Sequence, residues 1–475
     1  MASCHIVLFP FTAYGHTIPM ADMAVLFASR GLQTTIIVTP STAHRFSKSV
    51  HKTINCRHQI TLHIIDYCKD MMEEHASQPA GPDVSNENIS AFFESISMLQ
   101  QPFENFIQES QPNCIISDMF YPWTTKIAAK YNIPRIVFNG SGYFSLCVTD
   151  SIRLHHHYDP SKSVSEQRFL VPHLPHEIML SKKQLPHLEG EHFREFLKVL
   201  IQAMEAEVVS YGVIMNSFYE LEPDYVRHYR QVMKRRTWHV GPVSLCGNSY
   251  TSFERGMKAD IDEHECLKWL KSKTRDSVVY VCFGTMVTVS TSQLHEIATG
   301  LEACNQDFIW VINKKDQQIT LILEEFEARM KAKEKGLVIK GWAPQKLILD
   351  HESVGGFVTH CGWNSVLEGV CAGVAMVAWP VMAEQFYNAK LVTDVLKIGV
   401  SISDDLEWSA ASRCEGVTRD AIEKALAMVM VADGGEDMRI RARVLKEKAK
   451  SAVQEGGSSY SSLTGFIEEI MKACE

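Results

Sequence analysis

Short runs rich in β-branched residues alternate with longer stretches of helical periodicity along this chain, and the scheme occurs twice. In the first half HIVLFPF, TTIIVTP, CIISD, RIVFNG and GVIMNSF read as buried strands; in the second half SVVYVCFG, DFIWVIN, LVIKGW, GGFVTH and VAMVAWP repeat the pattern. Runs this apolar suit strands covered on both faces, the condition of a parallel sheet with helices packed on either side. Two sets of about equal length predict an α/β protein of two Rossmann-like domains. The 475 residues are also too many for one core of ordinary size. The seam is expected after HVGPV (239–243), where SLCGNSYTSFERGMKADIDEH is polar and aperiodic. The expected division is a domain over 1–245, a linker over 246–262, a domain over 263–455, and a terminal helix over 456–475 that packs back on the first domain.

Charge and cysteine usage narrow the function classes. A formal net charge of −9 argues against a nucleic-acid surface, although backbone amides could still hold an anionic small molecule. The thirteen cysteines form no CxxC pair, which predicts reduced thiols in a cytoplasmic protein. MASCHIVLFPF has no basic n-region and Pro10 breaks its apolar run, so a first strand is expected there rather than a signal peptide. No apolar run reaches the roughly 18 residues of a membrane span, and KACE does not end the chain as a prenylation signal would. The sequons at Asn88 and Asn139 are expected to stay unmodified in a cytoplasmic chain.

Several motifs are decoys. GSGYFS (140–145) follows a strand as a dinucleotide fingerprint would, but Ser145 stands where the third glycine is needed. No P-loop is present, and none of the His-Glu dipeptides at 176, 264, 295 and 351 completes HExxH. HHH (155–157) reads as a loop, since adjacent side chains converge poorly on one ion. Asp260 and Asp262 could bind Mg²⁺ beside a nucleotide, yet their place before ECLKWLKSK favours a helix N-cap.

THCGWNSVLEGV (359–370) carries more information. It places His360 at a strand end, with Asn364 and Ser365 opening the next helix. Ligands of a parallel sheet bind beyond the carboxyl ends of its strands. There the first-turn N–H groups lack helical partners and the helix dipole is positive, so a diphosphate fits without a metal. Gly362 lets the backbone approach closely, and His360 can donate from one ring nitrogen. Against this, Ser365-x-x-Glu368 also spells a capping box, which would make both residues structural. Trp342 taken alone is equally a core residue.

The segment lies inside WAPQKLILDHESVGGFVTHCGWNSVLEGVCAGVAMVAWPVMAEQ, a 44-residue stretch from Trp342 to Gln385. With WAPQ, HCGWNS and a closing EQ, it resembles the signature box of plant family 1 UDP-dependent glycosyltransferases. GHTIPM, SDMF, HVGP and EGGSSY extend the likeness along the chain. The resemblance implies two Rossmann-like domains facing across a cleft, the GT-B architecture, and a UDP-sugar held by the second domain. It implies that His360, Asn364 and Ser365 hold the diphosphate, that Trp342 stacks on uracil, and that Ala343 and Trp363 also belong to the UDP-sugar site. Gln345 and Glu368 would face the ribose, Trp363 would complete the motif, and Glu384 and Gln385 would face the sugar. Thr285 in FGTM replaces the family's usual Ser but keeps a hydroxyl for the phosphate. No metal and no bound cofactor are implied; UDP-glucose is a co-substrate.

A reaction also needs a base. His16, in AYGHTIP, follows the first strand, and Asp118 ends CIISD. If the two strands share one parallel sheet, both residues reach the same rim, and a carboxylate on one imidazole nitrogen would raise the basicity of the other. The resemblance assigns the same roles, with His16 as base and Asp118 as its partner. The expected reaction is a single displacement that transfers glucose, with inversion, to a hydroxyl of a hydrophobic triterpenoid, steroid or flavonoid. Tyr14, Phe120, Tyr121, Tyr143 and Phe144 are candidates for the acceptor wall, the chain being expected to act as a monomer. Another UDP-sugar, such as galactose, xylose or glucuronic acid, and a non-catalytic nucleotide-sugar-binding protein are the alternatives. A pyridoxal-dependent phosphorylase and an NAD oxidoreductase are the more distant rivals.

Overall fold

The computed structural model describes residues 4–46, 60–65, 92–93, 95–155, 168–186, 194–246, 256–313, 320–409 and 411–473. Packing divides the chain into two compact units. The first comprises Met1–Tyr143, Leu188–Ser249 and Ser451–Glu475, the second Phe144–His187 and Tyr250–Lys450. The expected division into 1–245, 246–262, 263–455 and 456–475 differs from this chiefly at one inner segment. Residues 144–187 leave the first unit early, and the strands Arg168–Leu170 and Met179–Ser181 pair as a small antiparallel hairpin within the second.

The first unit is built on a seven-stranded sheet. From edge to edge its strands are Ile60–Ile64, Gln33–Val38, His5–Phe9, Cys114–Asp118, Arg135–Phe138, Gly212–Met215 and Thr237–His239. Every pairing is parallel. The strand period of two separates its cores. Ile6 and Leu8 join one apolar cluster and Val7 and Phe9 the other, all almost wholly buried. The terminal helix Ser458–Ala473 completes the first cluster. Leu463, Phe466 and Ile470, spaced three and four apart, pack with Phe27 and Trp238. Full burial of Phe466 alone is worth about 2–3 kcal/mol.

The second unit has a six-stranded parallel sheet in the order Gly336–Lys340, Asp307–Ile312, Val278–Cys282, Val354–Thr359, Ala375–Ala378 and Gly399–Ser401. All ten expected strands exist. Of the strands that the pattern did not suggest, the three that join these two large sheets, Ile60–Ile64, Thr237–His239 and Gly399–Ser401, lie at sheet edges. An edge strand is covered on fewer sides and so needs no long apolar run.

Candidate active site

His16 follows the first strand and lies within a helix. The helix Tyr14–Ser29 starts earlier than the apolar pattern suggested, which puts the imidazole in its first turn. His5–Phe9 and Cys114–Asp118 are neighbouring strands, with Phe9 opposite Ser117, so their carboxyl ends share one rim. His16 Nδ1 stands 2.6 Å from Asp118 Oδ2. A carboxylate only accepts, so Nδ1 carries the hydrogen and Nε2 keeps a lone pair. The other oxygen of Asp118 accepts from the Phe120 amide at 3.1 Å, and the carboxyl is fully buried while His16 is partly open. Phe11, Phe120 and Phe138 surround the imidazole at centroid distances of 5.5, 5.7 and 6.3 Å.

Gly140 packs against the ring as well. It follows the strand Arg135–Phe138 with φ +69, and a Cβ there would sit 2.9 Å from His16 Cε1. The GSGYFS decoy thus serves the imidazole. The helix it leads into has its first amide, that of Tyr143, donating to Glu222 Oε2 at 3.3 Å, where a dinucleotide phosphate would have to bind. Asn139 of the NGS sequon is buried and donates to Glu207 Oε2 at 2.9 Å. Asn88, and 156–157 of the histidine triplet, lie outside the described residues.

Most of the expected acceptor aromatics belong to the core. Tyr121 stacks on Phe9 at 4.1 Å, Tyr143 bonds Thr237 at 3.0 Å, and Phe144 is fully buried. Tyr14 lies beneath the Arg45 guanidinium, 4.1 Å from its ring centroid. Only Phe120 is half-buried beside His16. Its companions are Phe11, Phe92, Phe93 and Phe196, linked by centroid distances of 4.6–6.4 Å. The FF pair at 92–93 and Phe196 carry no local mark of this role; long-range packing gathers them.

In the second unit the strands Val278–Cys282 and Val354–Thr359 are neighbours, with Cys282 opposite Thr359, so the turns FGT and HCG emerge side by side. The His360 imidazole lies between two glycines. A Cβ on Gly284, at φ +73, would be 2.7 Å from its Cε1 and Nε2, and one on Gly362 would be 2.5 Å from Nε2. Desolvation pushes His360 down to about 4, so it is neutral at physiological pH, and its Nδ1 has no protein partner.

Gly362 is the N-cap of the helix Trp363–Ala372, and no side chain caps it. Ser365 and Glu368 are therefore the third and sixth residues of that helix and do not form a capping box with each other. Gln345 ties them together: its Nε2 donates to Glu368 Oε2 at 2.8 Å and to Ser365 Oγ at 3.2 Å, while Oε1 accepts from Tyr280 at 3.3 Å. Trp342 is held by Asp260, whose carboxylate accepts from its amide at 2.7 Å and whose backbone N–H donates to its carbonyl at 2.8 Å. Gly256, at φ +86, lies against the indole; a Cβ there would be 2.3 Å from Cζ2. Asp262 caps the helix Glu263–Lys271. Among the described residues no three metal-binding side chains converge. Ala343 and Trp363 are buried, and the Thr285 carbonyl accepts from Asn313 at 3.2 Å.

Gln385 differs from the sequence expectation in one respect. Its Oε1 accepts from the Val381 and Met382 amides at 3.0 and 3.1 Å, so only its NH₂ group is left to offer a sugar. Glu384 is the N-cap of the helix that Gln385 opens. Sequence reasoning missed Asn388, which is fully buried. It donates to the carbonyl of Cys361 at 2.9 Å and accepts from Ser145 at 2.5 Å, fixing a peptide held at φ +62 directly after His360.

Residues 6–409 match the family described as UDP-glucoronosyl and UDP-glucosyl transferase. The chain is 49% identical to a scopoletin glucosyltransferase of Nicotiana tabacum, over 99% of this chain and 98% of that one. It is 44% identical to a UDP-glucose flavonoid 3-O-glucosyltransferase of Fragaria ananassa, over 98% and 96%. Among solved structures, Glycyrrhiza uralensis UGT73P12 complexed with glycyrrhetinic acid 3-O-monoglucuronide superposes with a TM-score of 0.91 at 38% identity, covering 99% of this chain and 96% of that one.

Proposed function

Because the chain belongs to the UDP-glucoronosyl and UDP-glucosyl transferase family, has the GT-B fold, and is a UDP-glycosyltransferase acting on small molecules, we propose that it transfers glucose from UDP-glucose to a hydroxyl of a hydrophobic plant metabolite, with inversion. The His16–Asp118 pair at 2.6 Å carries this reading. The acceptor O–H gives its proton to His16 Nε2 as the oxygen forms a bond to the anomeric carbon. The bond from that carbon to the diphosphate breaks, and UDP leaves with the electron pair. One displacement turns an α-linked donor into a β-O-glucoside. The proton on His16 then passes to solvent.

His360, Asn364, Ser365 and Thr285 are the proposed diphosphate contacts. The uncapped start of the helix Trp363–Ala372 and the partnerless Nδ1 of His360 support that assignment. Trp342 would stack on the base, and Gln345 and Glu368 would face the ribose. A non-catalytic binding protein has no need of a buried carboxylate aimed at an imidazole in its other unit. The relatives named for scopoletin and a flavonoid point to planar aromatics and the Glycyrrhiza uralensis structure to a triterpenoid conjugate; the cluster of Phe11, Phe92, Phe93, Phe120 and Phe196 is what leads us to place a planar aromatic acceptor first.

Two measurements test this. A panel of coumarins, flavonols, triterpenoids and steroids with UDP-glucose, read by mass spectrometry, should yield glucosides foremost with the flat aromatics; preference for a steroid would overturn the acceptor assignment. His16→Ala should lower turnover on a non-phenolic alcohol by roughly 10²–10⁴-fold with UDP affinity intact. Near-normal turnover would remove His16 as the base.

A further inference from the structure

We propose that Arg135 is a positioning residue behind the His16–Asp118 pair, and that its charge sets the pH at which the pair can accept a proton. The inference rests on His16 being the base. Arg135 opens the strand Arg135–Phe138 yet is 3% exposed. Its backbone pairs with Ile115, and that of Phe138 with Asp118. Three residues of strand, about 10 Å, separate those registers. The side chain spans the gap: Nε donates to Ser117 Oγ at 2.8 Å, Nη2 to the Asp118 carbonyl at 3.2 Å and Nη1 to Ser210 Oγ at 3.0 Å. Ser117 in turn bonds Thr124 at 2.7 Å. The guanidinium thus grips the strand end that presents the catalytic carboxylate, and the helix terminus beside it.

Two hydroxyls and a carbonyl are an unusual set of partners for a buried cation. A buried charge is costly unless opposite charges compensate it. Here the compensation comes from Asp118 and Glu207. Burial pushes Arg135 down to about 10, while Asp118 and Glu207 pull it upward, so it stays charged at neutral pH. The charged and titratable groups around the pair come from several elements. They are His16 on the helix Tyr14–Ser29, Asp118 and Arg135 on adjacent strands, and Glu207 on the helix Arg194–Val209. Glu207 also accepts from Tyr229 at 2.7 Å and lies 3.6 Å from Arg235. A sheet needs no charge at such a point; an apolar side chain of similar length would hold the strands together as well. What the charge supplies is a field on the dyad, and removing one positive charge raises the dyad's proton affinity whichever atom takes the proton.

The test is the pH profile of kcat/KM on an alcohol acceptor, whose acid limb reports the free enzyme's base. In Arg135→Gln the limb should move up by about one pH unit, the scale of one nearby charge at an effective dielectric of about 20. Arg135→Lys, which keeps the charge but loses the fork, should leave the limb in place with a several-fold lower plateau. Glu207→Gln removes a negative charge from the same set and should move the limb the other way, so the question stays answerable if Arg135→Gln does not fold. Limbs unmoved in every folded variant, with rates lowered evenly across pH, would reduce Arg135 to a structural role. His16→Ala run alongside separates the two ideas. If it keeps wild-type turnover, the base reading fails and this proposal with it; if it is inactive and the limbs stay put, this proposal fails alone.

Discussion

Substituting Gly140 by Ala adds one methyl group to the packing that holds the His16 imidazole, the proposed base. The new Cβ would stand 2.9 Å from His16 Cε1 and 3.1 Å from Nδ1, against an ordinary contact of 3.4 Å or more. The ring must therefore retreat by about 0.5 Å. Asp118 holds it at 2.6 Å, and Phe11, Phe120 and Phe138 stand round it. Retreat then lengthens the bond to Asp118 or turns Nε2 off line. Misplacement of this order costs roughly 10–10²-fold in turnover, since a 1 Å error is worth about 10². Ala at φ +69 adds about 1 kcal/mol of backbone strain, a loss of stability and not of rate. Turnover at saturating UDP-glucose and alcohol acceptor would be measured beside UDP affinity by calorimetry. The expected result is low turnover with unchanged UDP affinity, because the altered contact lies wholly within the first unit. Turnover within threefold of wild type in a folded variant would show that Gly140 does not hold the ring. A fall in UDP affinity matching the fall in rate would refute the division of labour between the units.

The mirror experiment is Gly284→Ala. Its Cβ would press 2.7 Å from His360, so UDP affinity should fall by about tenfold or more, and unchanged affinity would take His360 out of the diphosphate site. Gln385→Glu keeps an oxygen for the Val381 and Met382 amides but loses the NH₂ donors. The preference for UDP-glucose over UDP-galactose, expected at roughly 5–150-fold, should collapse while thermal stability holds; an unchanged preference would leave Gln385 with the loop alone. EDTA should leave activity intact, since in the proposed reading the helix N-terminus and His360 take the place of a cation; loss on chelation with rescue by Mg²⁺ would overturn that reading. Burial, aided by Arg230, pushes His239 down to about 4. The unfolded chain then takes up the proton first, so stability is full above pH about 6.5 and falls toward pH 4, by about 2 kcal/mol at pH 5. His239→Phe should flatten that slope in acid unfolding, and an equal slope in both proteins would refute it.

Local pattern was enough for some features and insufficient for others, and the division has a physical cause. The interior strands were legible because burial on both faces forces a continuous apolar run, and CIISD matches the strand Cys114–Asp118 residue for residue. The signature box was legible because a strand end followed by a Gly-started helix is written in consecutive residues. Edge strands, covered less, left a weaker trace. Side-chain fate was decided only by partners distant in sequence. Tyr121, Tyr143 and Phe144 have the composition of a ligand wall, and the fold places them in the core. Ser365 and Glu368 have the spacing of a capping box, but Gln345, 20 and 23 residues away, engages them both. Asp260 was a candidate for metal until Trp342, 82 residues on, proved to be its partner. Arg135 and Asn388 carry no motif at all; each acquires its place from contacts to a neighbouring strand end or turn. Periodicity and caps are set within a few residues along the chain, so the sequence by itself determined the α/β scheme and the chemistry of its turns. Which polar group meets which is settled when segments far apart in sequence come to lie side by side, as the helix turn bearing His16 and the strand end bearing Asp118, 102 residues on, do, and only the tertiary structure decided that.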